Sequence, residues 1–356
     1  MNKIKVALIG VGSCASSLVQ ELDSRKENGV MFKYIGNYLV GDIEPVCAID
    51  VNEKKVGIPL RKAVFENINK AVQHVEVKLF DENVNVEAGI LFDGLNGYLS
   101  DYICPHKNVD QDINRVKQIL KKSGAEVAIC MLPTGSSRDV EEYALICAEL
   151  GIAFINCTPE KICRNQTLVH RFIDNGVPLL GDDLRSHFGA TTLHTILIEA
   201  LLERGIEVKD TYQLNVGGNM DFLNLSSPER SKNKHESKKN ALYAAGIDAS
   251  EVSAGPNGYI KCLGDTKVCY LYIKGKSILD SDISLDVKLT VEDSPNAVGV
   301  INTAIRIAKL ALDNNIRGAL SDVNAFLFKS PDKPMNSRIA YDNIKKFIAD
   351  YTDLES

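Results

Sequence analysis

Residues 215–238 read NVGGNMDFLNLSSPERSKNKHESK, and here residue types and spacing first suggest chemistry. A strand-like run ends in Gly217-Gly218-Asn219. Two glycines remove the side chains that would keep a ligand away from the backbone. Lys234 and Lys238 follow, four residues apart and on one face if the segment is helical. Like charges at that spacing cost an isolated helix about 0.2–0.5 kcal/mol. A solvated surface tolerates this, and so does a site built around an anion. Ser226–Lys239 is the most polar long segment and reads as a mobile loop or lid.

Other segments supply matching chemistry. Gly10-Val11-Gly12-Ser13-Cys14-Ala15 fits G-x-G-x-x-G/A between a strand and a helix. Such a turn brings backbone close to a pyrophosphate, with the helix N-terminus facing the anion. Asp50 closes the second strand, where an acid binds ribose hydroxyls and disfavours a 2′-phosphate, so NAD is expected rather than NADP. Asp50 lies further from the glycines than the usual spacing of about 20 residues, so residues 24–42 are read as an insertion. Lys54 and Lys55 read as surface charges. The turns Leu132-Pro133-Thr134-Gly135-Ser136 and Asn156-Cys157-Thr158-Pro159 follow strands at the same sheet edge and are candidates for the nicotinamide half. Arg185-Ser186-His187-Phe188-Gly189 leads through small and hydroxyl residues into an apolar helix, which is either an anion cradle or a plain cap by Ser186 or Thr191. The adjacent acids Asp182 and Asp183 sit at a strand end and point to opposite sides. His187, His194 and His235 lack metal-ligand spacing and read as structural or surface residues.

The elements that must position these residues belong to an ordinary globular chain of 356 residues, 45% hydrophobic and 25% charged. A net charge of −6 argues against a nucleic-acid partner, and clustered lysines in an acidic chain suggest a local anion site. Nine cysteines without a C-x-x-C pair suit reduced, buried thiols. No run approaches the roughly 18–20 apolar residues of a membrane span. The chain reads as soluble and cytoplasmic, with no membrane partner. Short apolar runs at 5–9, 45–50, 126–131, 153–156 and 178–181 alternate with amphipathic helical patterns near 15–22, 110–122, 138–150 and 165–175. That alternation predicts an α/β fold, a Rossmann-like doubly wound parallel sheet covered on both faces. Past residue 205, runs at 211–216, 268–273 and 284–291 alternate apolar with polar residues, the pattern of antiparallel strands with one buried face. Helical patterns return at 296–313 and 339–351. The expected division is a cofactor-binding domain of 1–195 plus 295–356, interrupted by an inserted α+β domain at 196–294.

Together these motifs resemble myo-inositol-1-phosphate synthase in its shorter bacterial and archaeal form: GVGSCASSLVQ at 10–20, GDD at 181–183, GAT at 189–191, QLNVGGNMDFLN at 213–224, GDTK at 264–267, DSPN at 293–296 and KSP at 329–331. The resemblance implies conversion of D-glucose 6-phosphate to 1L-myo-inositol 1-phosphate with bound NAD. The steps would be oxidation at C5, enolisation, intramolecular aldol closure and re-reduction, with no net redox change. It implies Lys234, Lys238, Lys267 and Lys329 as active-site lysines, Asp265 and Asp293 orienting them, and Asp182 among the cofactor contacts. Lys234 and Lys329 would attend the C5 oxygen and Lys267 the aldol centre. Ser186, with the amides of His187, Phe188 and Gly189 and with Lys238, would hold the phosphate. It further implies a homotetramer built through the inserted domain, and a divalent or monovalent cation depending on the family member. Developing oxyanions need such cations in a water-poor site, and crowded ammonium groups lower one another's proton affinity, which suits one amine to act as a base. Arg185 departs from the family's usual lysine and cannot act as a base at ordinary pH. Within Ser231–Lys239, Lys232 and Lys239 are the nearest rivals of Lys234 for its place. Two other readings are an NAD-dependent dehydrogenase of a phosphorylated polyol and a non-catalytic NAD-binding regulator on the same scaffold.

Overall fold

The computed structural model describes residues 3–24, 26–78, 84–250 and 252–352, and the side chains of 228 and 231–234 lie outside that description. Among the described residues, the strands are β1 (Ile4–Ile9), β2 (Ile43–Asp50), β3 (Val86–Ala88), β4 (Val127–Cys130), β5 (Ala153–Asn156), β6 (Pro178–Leu180), β7 (Glu207–Gly217), β8 (Ser253–Tyr259), β9 (Thr266–Lys276), β10 (Asp282–Glu292) and β11 (Gly318–Ala319). The helices are α1 (Ser13–Ser24), α2 (Leu60–Ala63), α3 (Ile113–Ser123), α4 (Ser137–Leu150), α5 (Gln166–Asp174), α6 (Ala190–Glu203), α7 (Met220–Asn224), α8 (Pro228–Ala244), α9 (Pro295–Asp313), α10 (Ser321–Leu327) and α11 (Ser337–Asp350).

Seven strands form one parallel sheet in the order β11-β6-β5-β4-β1-β2-β3. This is the doubly wound order, and its switch point lies between β1 and β4. Because strand side chains alternate, Val6 and Leu8 of β1 join a core with α1 and α9, while Ala7 and Ile9 join a core with α3, α4 and α5 on the other face. Burial on both faces explains the uninterrupted apolar runs of β4 and β5. The expected insertion before β2 is present and packs on α9. Ile35 is buried, and Arg306 donates to the carbonyls of Phe32 and Lys33 at 2.8 and 3.2 Å.

The second sheet has the order β10-β9-β7-β8. The β7–β9 and β9–β10 pairs are antiparallel, as their alternation predicts. The fourth strand was not anticipated, and it runs parallel to β7. Its sequence SAGPNGY carries proline and two glycines, which hide a strand from pattern reading. Proline is tolerated because β8 is an edge strand with a register shift beside Pro256, where Asn257 Oδ1 instead accepts from Asn215 N at 2.8 Å. One sheet face buries Leu271, Ile273 and Ala254 against α6 and α8.

The loop or lid expected at Ser226–Lys239 is instead most of α8, a 17-residue helix with Pro228 in its first turn. Its polar sequence gives little amphipathic signal, and docking makes it a helix. Ala241 and Leu242 are buried, and the His235 imidazole lies so near β8 that a Cβ on Gly255 would fall 2.0 Å from Nε2. Cys47, Cys130, Cys147, Cys163 and Cys269 are buried free thiols. Among the described residues, no helix is long and apolar enough to cross a membrane.

Arg306 is fully buried, and its Nη2 also takes Asn302 Oδ1 at 3.0 Å. Burial pulls its guanidinium down to about 10, with Glu21 and Asp42 opposing. Arg306→Ala takes the donor from the Phe32 and Lys33 carbonyls and removes the cation beside Glu21. The expected loss is on the order of 3 kcal/mol in denaturant unfolding, and a loss below about 1 kcal/mol would deny Arg306 this role.

Candidate active site

The turn after β1 is shaped by a close crossing. Gly10 has φ +92°, and a Cβ there would fall 2.8 Å from the Met131 carbonyl oxygen. Gly12 has open space on the same test, so the turn has an unobstructed side at the start of α1. Val11 N donates to Asp50 Oδ2 at 2.9 Å, while Asp50 Oδ1 accepts from Val51 N and Asn52 N at 2.8 and 2.9 Å. Lys55 is not a surface charge. It is buried, and its Nζ donates to the Val11 carbonyl at 2.7 Å and to Asn69 Oδ1 at 2.9 Å. Lys70 N donates to Ser13 Oγ at 2.8 Å, so the segment after β2 folds back over the glycine turn. Sequence reading missed this brace, because nothing in it resembles a motif.

One cleft runs along the C-terminal edge of the parallel sheet. Gly10, Gly12, Ser13, Cys14, Ala15 and Asp50 line one end, and Pro133, Thr134, Cys157 and Thr158 follow. Lys267, Asp293 and Lys329 line the other end. A smaller pocket adjoins it, lined by Lys238, Gly189, Thr191 and Thr192, with Ser186, Lys267 and Lys329 shared between the two. Lys234 lies on α8, and its side chain is outside the described residues. Gly135 and Asp182 are not on these walls. Gly135 N donates to Glu160 Oε1 at 2.8 Å. Asp182 accepts from Asn156 Nδ2 at 2.8 Å and from the amides of Ile162 and Cys163, both at 3.1 Å, and burial pushes it up to about 7.

The neighbouring Asp183 turns the other way, with φ +58°. Its Oδ1 accepts from Lys329 Nζ at 2.8 Å, and its Oδ2 accepts from the Ser237 hydroxyl of α8. Lys267 Nζ donates to Asp293 Oδ1 at 3.0 Å, and Asp293 Oδ2 accepts from Asn219 Nδ2 at 3.1 Å. Asp265 accepts from Ser294 N at 3.0 Å and from Ser294 Oγ at 2.7 Å. Each of these amines therefore stands against its own carboxylate, and Asp265 fixes the turn that carries Asp293. Sequence reading paired Asp183 only with Asp182. The adjacency said that they diverge but not which one would reach a lysine.

At the start of α6, His187 N and Phe188 N donate to Asn296 O and Oδ1 at 2.7 and 2.9 Å. Two of the three amides expected at a phosphate are thus already bonded to α9. Ser186, Gly189, Thr191 and Thr192 face the small pocket instead. Arg185 lines neither pocket. His194 is buried, its Nε2 lies 2.7 Å from Thr211 Oγ1, and burial with Lys238 nearby pulls it down to about 4, which suits a structural residue. Among the described residues, no group of three or more His, Cys, Asp or Glu is placed to hold a metal ion.

Fold and site define an α/β protein of the Rossmann-like class whose cleft at the sheet's switch point opens into a lysine-lined pocket. A family model described as myo-inositol-1-phosphate synthase matches residues 189–294. The inositol-3-phosphate synthase of Mycolicibacterium smegmatis is 37% identical over 98% of this chain and 98% of its own length. That of Corynebacterium glutamicum is 35% identical, again over 98% of each. The crystal structure of Ari2 is 34% identical, with a TM-score of 0.79 over 98% of this chain and 99% of its own. Inositol-3-phosphate synthase from Caenorhabditis elegans, 14% identical, shares the fold with a TM-score of 0.81 over 100% of this chain and 87% of its own. The chain belongs to the myo-inositol-1-phosphate synthase family.

Burial raises Asp265 from the ordinary 3.8 to about 6, with the Ser294 hydrogen bonds opposing. A carboxyl held above its ordinary value favours the folded state when protonated. Its contribution is therefore fully present below about 3.8 and lost as pH rises through about 6. Asp265→Asn removes that dependence. Across about pH 4 to 7 the difference in unfolding free energy between the two proteins should change by on the order of 2–3 kcal/mol. Parallel pH profiles in denaturant titrations would contradict this.

Proposed function

We propose that this protein converts D-glucose 6-phosphate to 1L-myo-inositol 1-phosphate with bound NAD, an isomerisation without net redox change. The observation that carries the reading is the single cleft with the glycine turn at one end and Lys267 and Lys329 at the other. Relatives named inositol-3-phosphate synthase support the choice of substrate and product. The open side of Gly12, the start of α1 and Asp50 at the end of β2 fit a dinucleotide. When bound, NAD supplies a hydride acceptor at C5 and returns the hydride later.

The chain's own residues do the rest. Ser186, the first turn of α6 and Lys238 hold the phosphate in the small pocket. The sugar then lies toward the shared wall, where Lys267 and Lys329 stand. Enolisation and aldol closure each build negative charge on oxygen, and fixed cations in a partly buried site oppose it without reorganising. Lys329, held by Asp183, attends the C5 oxygen together with Lys234, and Lys267, held by Asp293, attends the aldol centre. One of these amines serves as the base.

Residues 1–195 with 295–356 form the cofactor-binding unit in this reading, and 196–294 the unit through which four copies assemble. Tyr212, Leu214 and Tyr270 are exposed on the face of the second sheet opposite its core, and Tyr212 stacks on Tyr272 with centroids 5.4 Å apart. The buried free thiols suit the cytoplasm.

Incubation with glucose 6-phosphate and catalytic NAD should give an inositol phosphate without accumulating NADH. Stoichiometric NADH would mean a polyol-phosphate dehydrogenase instead. Lys267→Ala should abolish product while NAD still binds, and unchanged turnover in that variant would falsify the role given to Lys267. Light scattering on the purified protein should give four times the 39.1 kDa chain mass, and a monomer would refute the assembly.

A further inference from the structure

Arg230 is buried in the first turn of α8, the helix that carries Lys238. Its Nη1 donates to the Thr134 carbonyl at 3.0 Å and its Nη2 to the Asp93 carbonyl at 2.6 Å. The Thr134 carbonyl also accepts from Asn224 Nδ2 of α7 at 2.8 Å. Thr134 lines the cofactor end of the cleft, and so does Gly94, the residue after Asp93. The loop holding Gly94 is itself fixed from α4, because Asp139 accepts from the amides of Phe92 and Gly94 at 2.6 and 2.7 Å.

Gly135 completes the arrangement. It has φ +89°, and a Cβ there would fall 2.4 Å from Arg230 Cδ. The turn is therefore shaped around the arginine stem, which accounts for a glycine that does not line the cleft. One guanidinium bridges two loops of the cofactor end to the lysine helix. The planar fork presents two separate nitrogens at fixed geometry, one to each carbonyl, which the single nitrogen of a lysine does not reproduce.

We propose that Arg230 is a positioning residue that sets the distance between the lysine helix and the cofactor turn. The proposal rests on the reading of that helix as part of the active site. Arg230 touches neither pocket wall and acts through Thr134, Gly135 and the helix.

The test uses Arg230→Ala, Arg230→Lys, Gly135→Ala and the Arg230→Ala/Gly135→Ala pair in the full chain. A displacement near 1 Å lowers turnover about 100-fold. Arg230→Ala and Gly135→Ala should each show that fall in kcat. The Kd for NAD should stay within about threefold, because the glycine turn is untouched, while the KM for glucose 6-phosphate should rise, because Lys238 of the small pocket moves with the helix. The double variant should be no worse than Gly135→Ala alone, since both break the same contact and the strain of an alanine at φ +89° is already present in that single variant. Arg230→Lys should recover less than about a tenth of the lost activity. A kcat within about threefold of the parent in Arg230→Ala, or losses that multiply in the double variant, overturns the proposal. Early melting with loss of NAD binding overturns it as well, by making Arg230 a general scaffold residue. Should the parent protein make no inositol phosphate, the activity reading fails on its own, and amide exchange then decides the positioning role. Faster exchange across residues 235–244 in Arg230→Ala, with α4 unchanged, supports it, and unchanged exchange overturns it.

Discussion

A buried ammonium needs a fixed negative partner, and the carboxylate of Asp183 meets that constraint for the centre of this molecule. It takes Lys329 on one oxygen and the Ser237 hydroxyl on the other. Three distant parts of the chain are joined there: the end of β6, the lysine helix and the segment after α10. The carboxylate offsets the charge of Lys329, which lines a small pocket with Lys238 and Lys267. Asp293 does the same for Lys267 from the start of α9. Two cations of the site are thus held in place by individual acids. That arrangement keeps positive charge ready for an oxyanion while leaving the folded state tolerable.

The two sheets divide the labour around that centre. The parallel sheet offers a glycine turn and an open helix start at its switch point. The second sheet and α8 bring Lys267 and Lys238, and the segment after α10 brings Lys329. Arg230 and Asn224 both donate to the carbonyl of Thr134, and Arg230 donates to that of Asp93 as well. A shift of either half would move amines relative to a bound ligand.

Much of the parallel sheet could be read directly, because a strand segment buried on both faces is an apolar run, as are β4 and residues 6–9 of β1, 45–49 of β2 and 153–155 of β5. The glycine turn was readable for the same kind of reason: Gly10 has to pass beneath the Met131 carbonyl, and only glycine fits. Strand β8 was hidden by Pro256 and two glycines, since its place is fixed by pairing with β7 and by the Asn257 side chain. Helix α8 was hidden by its charge. Its polar face meets Asp183, Thr134 and Asp93 through Ser237 and Arg230, partners that no local pattern announces.

The sequence by itself determined the alternation of strands and helices, the glycine turn with its acid at the end of β2, and the family, because short-range steric and periodic rules govern those features. It also supplied the lysines. Only the tertiary structure decided which acid serves which amine, that Asp183 and not Asp182 reaches Lys329, and that Lys55 braces the glycine turn from inside. It also decided that two amides of the expected phosphate cradle belong to Asn296. The physical reason is common to all four. A hydrogen bond or ion pair between residues far apart in the chain depends on a backbone path and a side-chain direction, and neither is encoded in the spacing of the residues that make it.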